Sequence, residues 1–513
     1  MPGDLTAQPG RLYGVGVGPG DPELVTVKAR RIIEAADVVA YPIGPGREGV
    51  ACAAAAPYLG EQEQIALEYP VTTQESDHPD GYEGALRDFY DESARRIAAE
   101  LDAGRSVAVL CEGDPFFYGS YMYLHERLGS RYPCEVVPGV TAFSAAAAAA
   151  GTPLAKRDDV LTVLPGTLEP AELAARVRGA DAAVVMKLGR RFGAVREGLQ
   201  EVADRAVYVE RASHPGERLL PLGDVQDGVP YMSLVLVPTA SRRPGPDAVT
   251  GDELTGAALG PAGGGELAVV GLGPAGGQWL TPEAGAALDR AEHLVGYAPY
   301  LARVPVRAGQ RRHASDNRVE LDRARHALAL AAGGARVAVV SSGDPGIFAM
   351  AAAVLEALER GNGAYAEVDL RVLPGLSAMQ AAAARAGAPL GHDFAVVSLS
   401  DQRKPWEVVE RRLDAAGHGD YVVAIYNPAS RTRRRQLERA REVLLRHREP
   451  TTPVVVARDV GGREEDVTVT DLERLLAARV DMRTLLIVGS SQTRVLAGPG
   501  GAPLVHTPRS YPA

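Results

Sequence analysis

The chain has 513 residues, of which 46% are hydrophobic and 23% charged, and its net charge is −10. That length exceeds one ordinary core and points to about three or four domain-sized units. The acidic balance argues against a general nucleic-acid or membrane-surface binder, which carries excess Lys and Arg. It leaves room for local Arg clusters facing an acidic small molecule.

The opening MPGDLTAQPG lacks the basic-then-apolar pattern of a secretory leader, so a cytoplasmic protein is expected. Leu12–Val17 is an apolar run that ends in glycines, the form of a buried strand. Pro22–Ala36 has helical spacing through Leu24, Val27, Ile32 and Ile33, and Asp37–Tyr41 reads as the next strand. Phe89–Asp102 reads as a helix and Val107–Cys111 as a strand. The alanine run after Phe143 is too short and too weakly apolar to span a bilayer. Further strands are expected at Leu161–Leu164, Ala183–Met186, Ala206–Val209 and Ser233–Val237. A matching set follows at Ala395–Leu399, Tyr421–Tyr426, Pro453–Ala457 and Thr484–Val488. Strands alternating with helices across short turns predict an α/β layered fold with a largely parallel sheet.

Three blocks recur in the same order. Residues 14–21 read GVGVGPGD, and residues 270–276 read VGLGPAG. VAVLCEGDP from Val107 returns as VAVVSSGDP from Val337, and VPGVTA from Val137 returns as LPGLSA from Leu373. Such ordered recurrence marks a duplicated unit of domain size. The expected organisation is a first module over residues 11–240, with lobes at about 11–150 and 155–240, and a Gly/Pro/Ala-rich linker over 241–265. A second module follows over 266–492, with lobes at about 266–388 and 393–492, and then a frayed tail over 493–513. The three cysteines, Cys52, Cys111 and Cys134, form no CxxC pair, and no His cluster has ligand spacing. Reduced thiols and no metal are therefore expected.

Glycines directly after a first strand allow a tight turn and a close ligand approach. The second copy satisfies a dinucleotide pattern at Gly271, Gly273 and Gly276, but Pro19 and Asp21 break it in the first. Pro42 and Ala298 stand where a ribose-binding acid would be required, which disfavours a nicotinamide or flavin cofactor. Asp114 and Asp344, in Gly-Asp-Pro at a strand end, can bind a ligand or cap the following helix.

Gly-x-Gly-Pro-Gly-Asp-x-x-Leu-x-Thr over Gly16–Thr26, followed by Gly-Asp-Pro and Pro-Gly-x-(Ser/Thr)-Ala, resembles the tetrapyrrole methylases in both copies. The resemblance implies two tandem modules, each of two α/β lobes, with one S-adenosylmethionine in the cleft of each. Val39-Ala-Tyr-Pro-Ile, Cys111-Glu-Gly-Asp-Pro-Phe-Phe-Tyr and Val185-Met-Lys-Leu make the first copy similar to precorrin-2 C(20)-methyltransferases. Leu294-Val-Gly-Tyr, Ile425-Tyr-Asn-Pro and Ala457-Arg-Asp-Val-Gly make the second similar to precorrin-3B C(17)-methyltransferases. The family pattern implies cofactor contacts at Pro19, Glu112, Gly113, Asp114, Phe117, Thr141, Ala142 and Met186. In the second copy it implies them at Pro274, Ser342, Gly343, Asp344, Ile347, Ser377, Ala378, Tyr426 and Asn427.

The implied reaction is attack of a ring carbon on a sulfonium methyl, which needs alignment and no protein nucleophile. Ring contraction at the second step calls for acid–base help, for which His313, Asp316 and Arg318 in RRHASDNR are candidates. Polycarboxylate substrates suit guanidinium groups. Arg433, Arg434 and Arg435 just beyond Tyr-Asn-Pro are the first candidates; Arg190, Arg191, Arg311, Arg312, Arg403 and Lys404 are others. The expected partners are precorrin-2 and precorrin-3B, with no nucleic acid and no membrane. The halves are expected to pair as a homodimer or as an intrachain pseudo-dimer. Cobalt-bound equivalents of the substrates, or a non-catalytic tetrapyrrole carrier or sensor, are the alternatives.

Overall fold

A computed structural model describes residues 7–44, 49–70, 78–155, 159–226, 228–239, 264–316, 319–400, 405–430, 435–498 and 501–508. Most of the expected linker thus lies outside the described residues.

Two five-stranded sheets share one topology. In the first, the order is Glu63–Glu68, Val38–Ile43, Val107–Cys111, Leu12–Gly16 and Cys134–Val137. In the second it is Arg311–Ser315, His293–Tyr297, Arg336–Ser341, Glu266–Gly271 and Asp369–Leu373. Every pairing in both is parallel. The central strands are buried along their length, as the unbroken apolar runs require when helices cover both faces. The threonine of the opening motif is a helix cap. Thr26 Oγ1 accepts the Ala29 amide at 3.2 Å, and Thr281 Oγ1 accepts that of Ala284 at the same distance.

The second-lobe strands of the two copies do not form two sheets. They join into one ten-stranded sheet, ordered Asp466–Asp471, Pro453–Arg458, Thr484–Val488, Val422–Tyr426, Phe394–Ser398, Leu161–Pro165, Ala182–Met186, Ser233–Val237, Val207–Glu210 and Arg218–Pro221. The seam is the antiparallel pair Leu161–Pro165 with Phe394–Ser398, where Thr162 faces Ala395. From that seam outward the two halves repeat the same order. The two copies therefore pair within one chain, and both large apolar clusters flanking this sheet draw on both copies. Here the expectation of a largely parallel sheet fails. Only Leu161–Pro165 with Ala182–Met186 and Phe394–Ser398 with Val422–Tyr426 run parallel, because the outer strands return through short connections.

The expected frayed tail is also corrected. Arg494–Ala497 and Pro503–His506 form an antiparallel hairpin, and the latter runs parallel to Gly387–Ala388. Val505 is buried, and Thr507 Oγ1 donates to the Pro389 carbonyl at 2.8 Å. At the end of the hairpin the Gly498 amide donates to the Ala502 carbonyl at 2.8 Å. No helix of the described residues is long and apolar enough to cross a membrane.

Candidate active site

In each copy, three loops meet at the carboxyl edge of the five-stranded sheet. Gly18 and Gly113 form a bridge, with the Gly113 amide donating to the Gly18 carbonyl at 2.8 Å; Gly273 and Gly343 repeat it. Gly113 and Gly343 both have φ of +68°. A Cβ on Gly139 would stand 2.1 Å from the Gly113 carbonyl oxygen, and one on Gly375 would stand 2.5 Å from that of Gly343. These motif glycines let loop stack on loop, which is a more local task than admitting a ligand.

The Gly-Asp-Pro carboxylates tie the loops together. Asp114 accepts the Phe116 amide at 2.9 Å and the Gly139 amide at 3.1 Å. Asp344 accepts the Gly346 amide at 2.8 Å and the Gly375 amide at 3.2 Å. Burial pushes the Asp114 carboxyl up to about 7 and that of Asp344 to about 6, against the pull of the amide donors. Each aspartate thus holds its own loop through Oδ1 and its Pro-Gly turn through Oδ2.

The turn leads into a capped helix. Thr141 caps Ala142–Ala149, and Ser377 caps Ala378–Ala386 in a reciprocal capping box with Gln380. Tyr426, at the end of Val422–Tyr426, brings its hydroxyl to this point. It accepts the Met379 amide at 3.2 Å, two residues past the Ser377 cap. Tyr426, Ser377 and Asp344, expected together from sequence, are together. Half-buried Met186, Ala142 and Tyr118 of the first copy and Tyr426, Phe348 and Ala275 of the second all pack on the apolar cluster shared by the copies, with the Phe348 ring 5.3 Å from that of Tyr426.

The glycine loop faces the second lobe of its own copy. His214 Nε2 contacts the Pro19 carbonyl oxygen at 2.5 Å, and the Asp21 amide donates to Ser213 Oγ at 3.2 Å. In the second copy, Gly461 closes on Trp279 and Ala275. Phe117 is packed deeper than a ligand contact would be. Its ring lies 5.3 Å from that of Phe143 and 5.3 Å from that of Phe394 in the other copy. Ile347 is likewise buried, beside a bridge to Ala155.

Six residues share a backbone conformation that sequence does not mark, and of them only Asn427 was expected as a contact. Tyr118, Lys187 and Arg211 have φ of +52°, +59° and +51°; Phe348, Asn427 and Asp459 repeat this at +52°, +51° and +51°. Lys187, Arg211, Asn427 and Asp459 directly follow strand ends, Tyr118 and Phe348 lie in the Gly-Asp-Pro loops, and left-handed non-glycine residues concentrate at functional sites. Lys187 Nζ lies 4.0 Å from the centre of the Tyr118 ring, and the Tyr118 hydroxyl donates to Asp393 Oδ1 at 3.0 Å. Glu112 is solvent-reached yet ringed by protein, which pushes its carboxyl up to about 7. Ser342, its counterpart, accepts a hydrogen bond from Arg303 at 3.0 Å. Arg303 also donates to the carbonyls of Leu272 at 2.9 Å, Gly273 at 2.7 Å and Ala275. Burial pulls this guanidinium down to about 10, and among the described residues no carboxylate pairs with it. A lone Arg beyond Tyr297 carries no sequence signal; equivalence of strand ends between the copies would have flagged the left-handed positions.

Other sequence candidates lie elsewhere. His313, on the edge strand Arg311–Ser315, commits both ring nitrogens to His293 at 2.8 Å and His326 at 2.9 Å and joins none of the Gly343–Ile347 residues. The Asp316 carbonyl accepts from Arg323 at 2.5 Å. Arg191 pairs with Glu169, Arg312 caps the carbonyls of Leu301 and Val304, and Arg190, Arg311 and Arg435 are exposed. Arg318, Arg403, Lys404, Arg433 and Arg434 lie outside the described residues.

A family model described as tetrapyrrole (corrin/porphyrin) methylases matches residues 11–226 and again residues 266–476. The chain belongs to the tetrapyrrole methylase family. The cobalamin biosynthesis protein CobIJ of Mycobacterium tuberculosis (strain ATCC 25618 / H37Rv) is 54% identical over 512 residues, covering 98% of this chain and 96% of that protein. A precorrin-2 C(20)-methyltransferase of a Sinorhizobium species is 50% identical over 240 residues, 46% of this chain and 98% of its own length. A precorrin-3B C(17)-methyltransferase, also from Sinorhizobium, is 49% identical over 232 residues, 45% of this chain and 91% of its own. This tetrapyrrole methylase thus aligns with single-copy relatives through each of its halves.

Proposed function

We propose that this chain is a bifunctional S-adenosylmethionine-dependent C-methyltransferase of corrin assembly. The first copy methylates C(20) of precorrin-2 to give precorrin-3A. The second methylates C(17) of precorrin-3B, with ring contraction, to give precorrin-4. The observation that carries this is one loop architecture built twice in a chain whose halves each align with a different methyltransferase over nearly that relative's full length.

The residues present fit one methyl donor per copy. The half-buried apolar side chains of Tyr118, Ala142 and Met186, or of Ala275, Phe348 and Tyr426, suit a purine face. Gly113 and Gly343 present backbone without a side chain in the way. When bound, S-adenosylmethionine supplies an electrophilic methyl group. The chain's own task is positioning: Asp114 and Asp344 keep the loops in register, and preset alignment lowers the barrier. In the first copy Glu112 stands at the cleft with a carboxyl near neutrality and accepts the proton released from the ring. In the second, Arg303 is a half-buried cation with no acidic partner among the described residues, suited to a substrate carboxylate beside Ser342. Arg433, Arg434 and Arg435 remain proposed as outer carboxylate contacts.

Mass spectrometry of purified enzyme with S-adenosylmethionine and precorrin-2 tests the reading. One added methyl is expected, with the second copy idle until an oxidised intermediate is supplied, and calorimetric titration should count two cofactors per chain. A chain specific for the cobalt complexes would leave metal-free precorrin-2 unmethylated. A carrier would bind tetrapyrrole with no methyl gain.

A further inference from the structure

The helix that follows each Pro-Gly turn ends its polar contacts on the opposite copy. Ser377 Oγ donates to Gln380 Oε1 at 2.8 Å, and Gln380 Nε2 donates to the Gly139 carbonyl of the first copy at 2.7 Å. The Gln380 amide also opposes the upward push of burial on the Asp114 carboxyl, which itself accepts the Gly139 amide at 3.1 Å. Ser144 holds the same helix position as Gln380. Thr141 Oγ1 donates to Ser144 Oγ at 3.0 Å, and Ser144 lines one small cavity together with Asp344 of the second copy. Thr141, Ser144, Ser377, Gln380, Asp114 and Asp344 are all buried.

We propose that Gln380 is a positioning residue supplied across the copies: from the second it holds the first copy's cofactor turn, with Ser144 as its counterpart beside Asp344. This rests on the reading of the two clefts as cofactor sites. A buried amide must satisfy both of its ends. Gln380 does so only by reaching out of its own copy, since its Oε1 is taken by the Ser377 amide and hydroxyl. The Gly139 carbonyl is in turn buried, and without Gln380 it loses a donor that water does not replace. The first cleft is therefore incomplete without the second copy, though no residue of the second copy need touch the first copy's ligand.

The test uses Gln380→Glu and Gln380→Met in the full chain. Amide hydrogen exchange is read at Phe116 and Gly139, and the first methylation is read as KM for S-adenosylmethionine against kcat. Both variants should speed exchange at Phe116 and Gly139 and raise that KM about tenfold, the scale of one buried hydrogen bond, with kcat at saturating cofactor nearly unchanged. The Glu variant sets a carboxylate against Asp114, so its defect should shrink as pH falls and a protonated Glu donates again; the Met defect should not. Unchanged exchange in both variants, or equal losses indifferent to pH, overturns the proposal. Should the Gln380 variants not fold, Ser144→Ala asks the same of Gly375 exchange and the second reaction. An unaltered chain that binds no S-adenosylmethionine would sink the functional reading, while the exchange measurement would still decide the role of Gln380 across the copies.

Discussion

Asp114 accepts the Gly139 amide at 3.1 Å, joining two motifs that lie 25 positions apart in the chain. Asp344 does the same for Gly375 at 3.2 Å. The aspartate of Gly-Asp-Pro is thus a brace between the loop that carries it and the Pro-Gly turn. Asp114→Ala would leave two buried amides without acceptors and should destabilise the chain by about 2–4 kcal/mol. It should weaken the first reaction much more than the second, and Asp344→Ala should do the reverse. Denaturant unfolding with separate assays of the two methylations checks this. An Asp114→Ala protein with unchanged stability and turnover would remove the bracing role.

The Glu112 carboxyl is held up to about 7, so its proton-accepting form is populated only above that value. The first methylation should slow as pH falls through about 7, and Glu112→Gln should flatten that limb while lowering the plateau. The stability effect has the opposite sign. A carboxyl with a raised folded pKa favours the folded chain at low pH and disfavours it as pH rises through the folded value. Glu112→Gln should therefore be more stable than the unaltered chain above about pH 7 and no more stable in acid. Rate and melting profiles across pH 5–9 would expose a wrong sign in either limb.

Arg303 binds three carbonyls and Ser342 through a planar fork that a lysine cannot reproduce. Arg303→Lys should lower kcat/KM of the second reaction by about 10- to 100-fold, as expected for lost charge-assisted hydrogen bonds. The first reaction is the internal control. Equal loss in both would mean that the substitution disturbs the fold.

Phe117 stands between Phe143 of its own copy and Phe394 of the other. Phe117→Ala opens a cavity at the junction of the copies and should cost about 3–5 kcal/mol. Calorimetric or denaturant unfolding gives the number. A change below about 1 kcal/mol would mean that this ring is not a core anchor.

The repeated motifs, the first-lobe strands and the membership of Tyr426, Ser377 and Asp344 in one cluster were legible in the chain. Each depends on residues near one another in sequence or on a pattern repeated in register. Apolar runs ending in glycine identify parallel strands whose carboxyl ends face a site, because helices on both faces leave only that edge open. The duplication likewise needs nothing beyond three ordered blocks.

Tertiary structure decided what those blocks do for each other. That Leu161 pairs with Val396, so that two lobes become one sheet, depends on strand edges that carry no label in sequence. That Asp114 binds amides, that Phe117 serves the junction, and that Gln380 answers to Gly139 rather than to its own turn alone all follow from burial. Polar groups taken out of water must find partners wherever the fold brings them, and here the partner lies in the other copy. The same reason separates His313 from the cleft: its strand is the sheet edge, and its imidazole meets two histidines there. Sequence by itself determined that this protein holds two related units built to present the same loops; only folding determined that each unit completes the other.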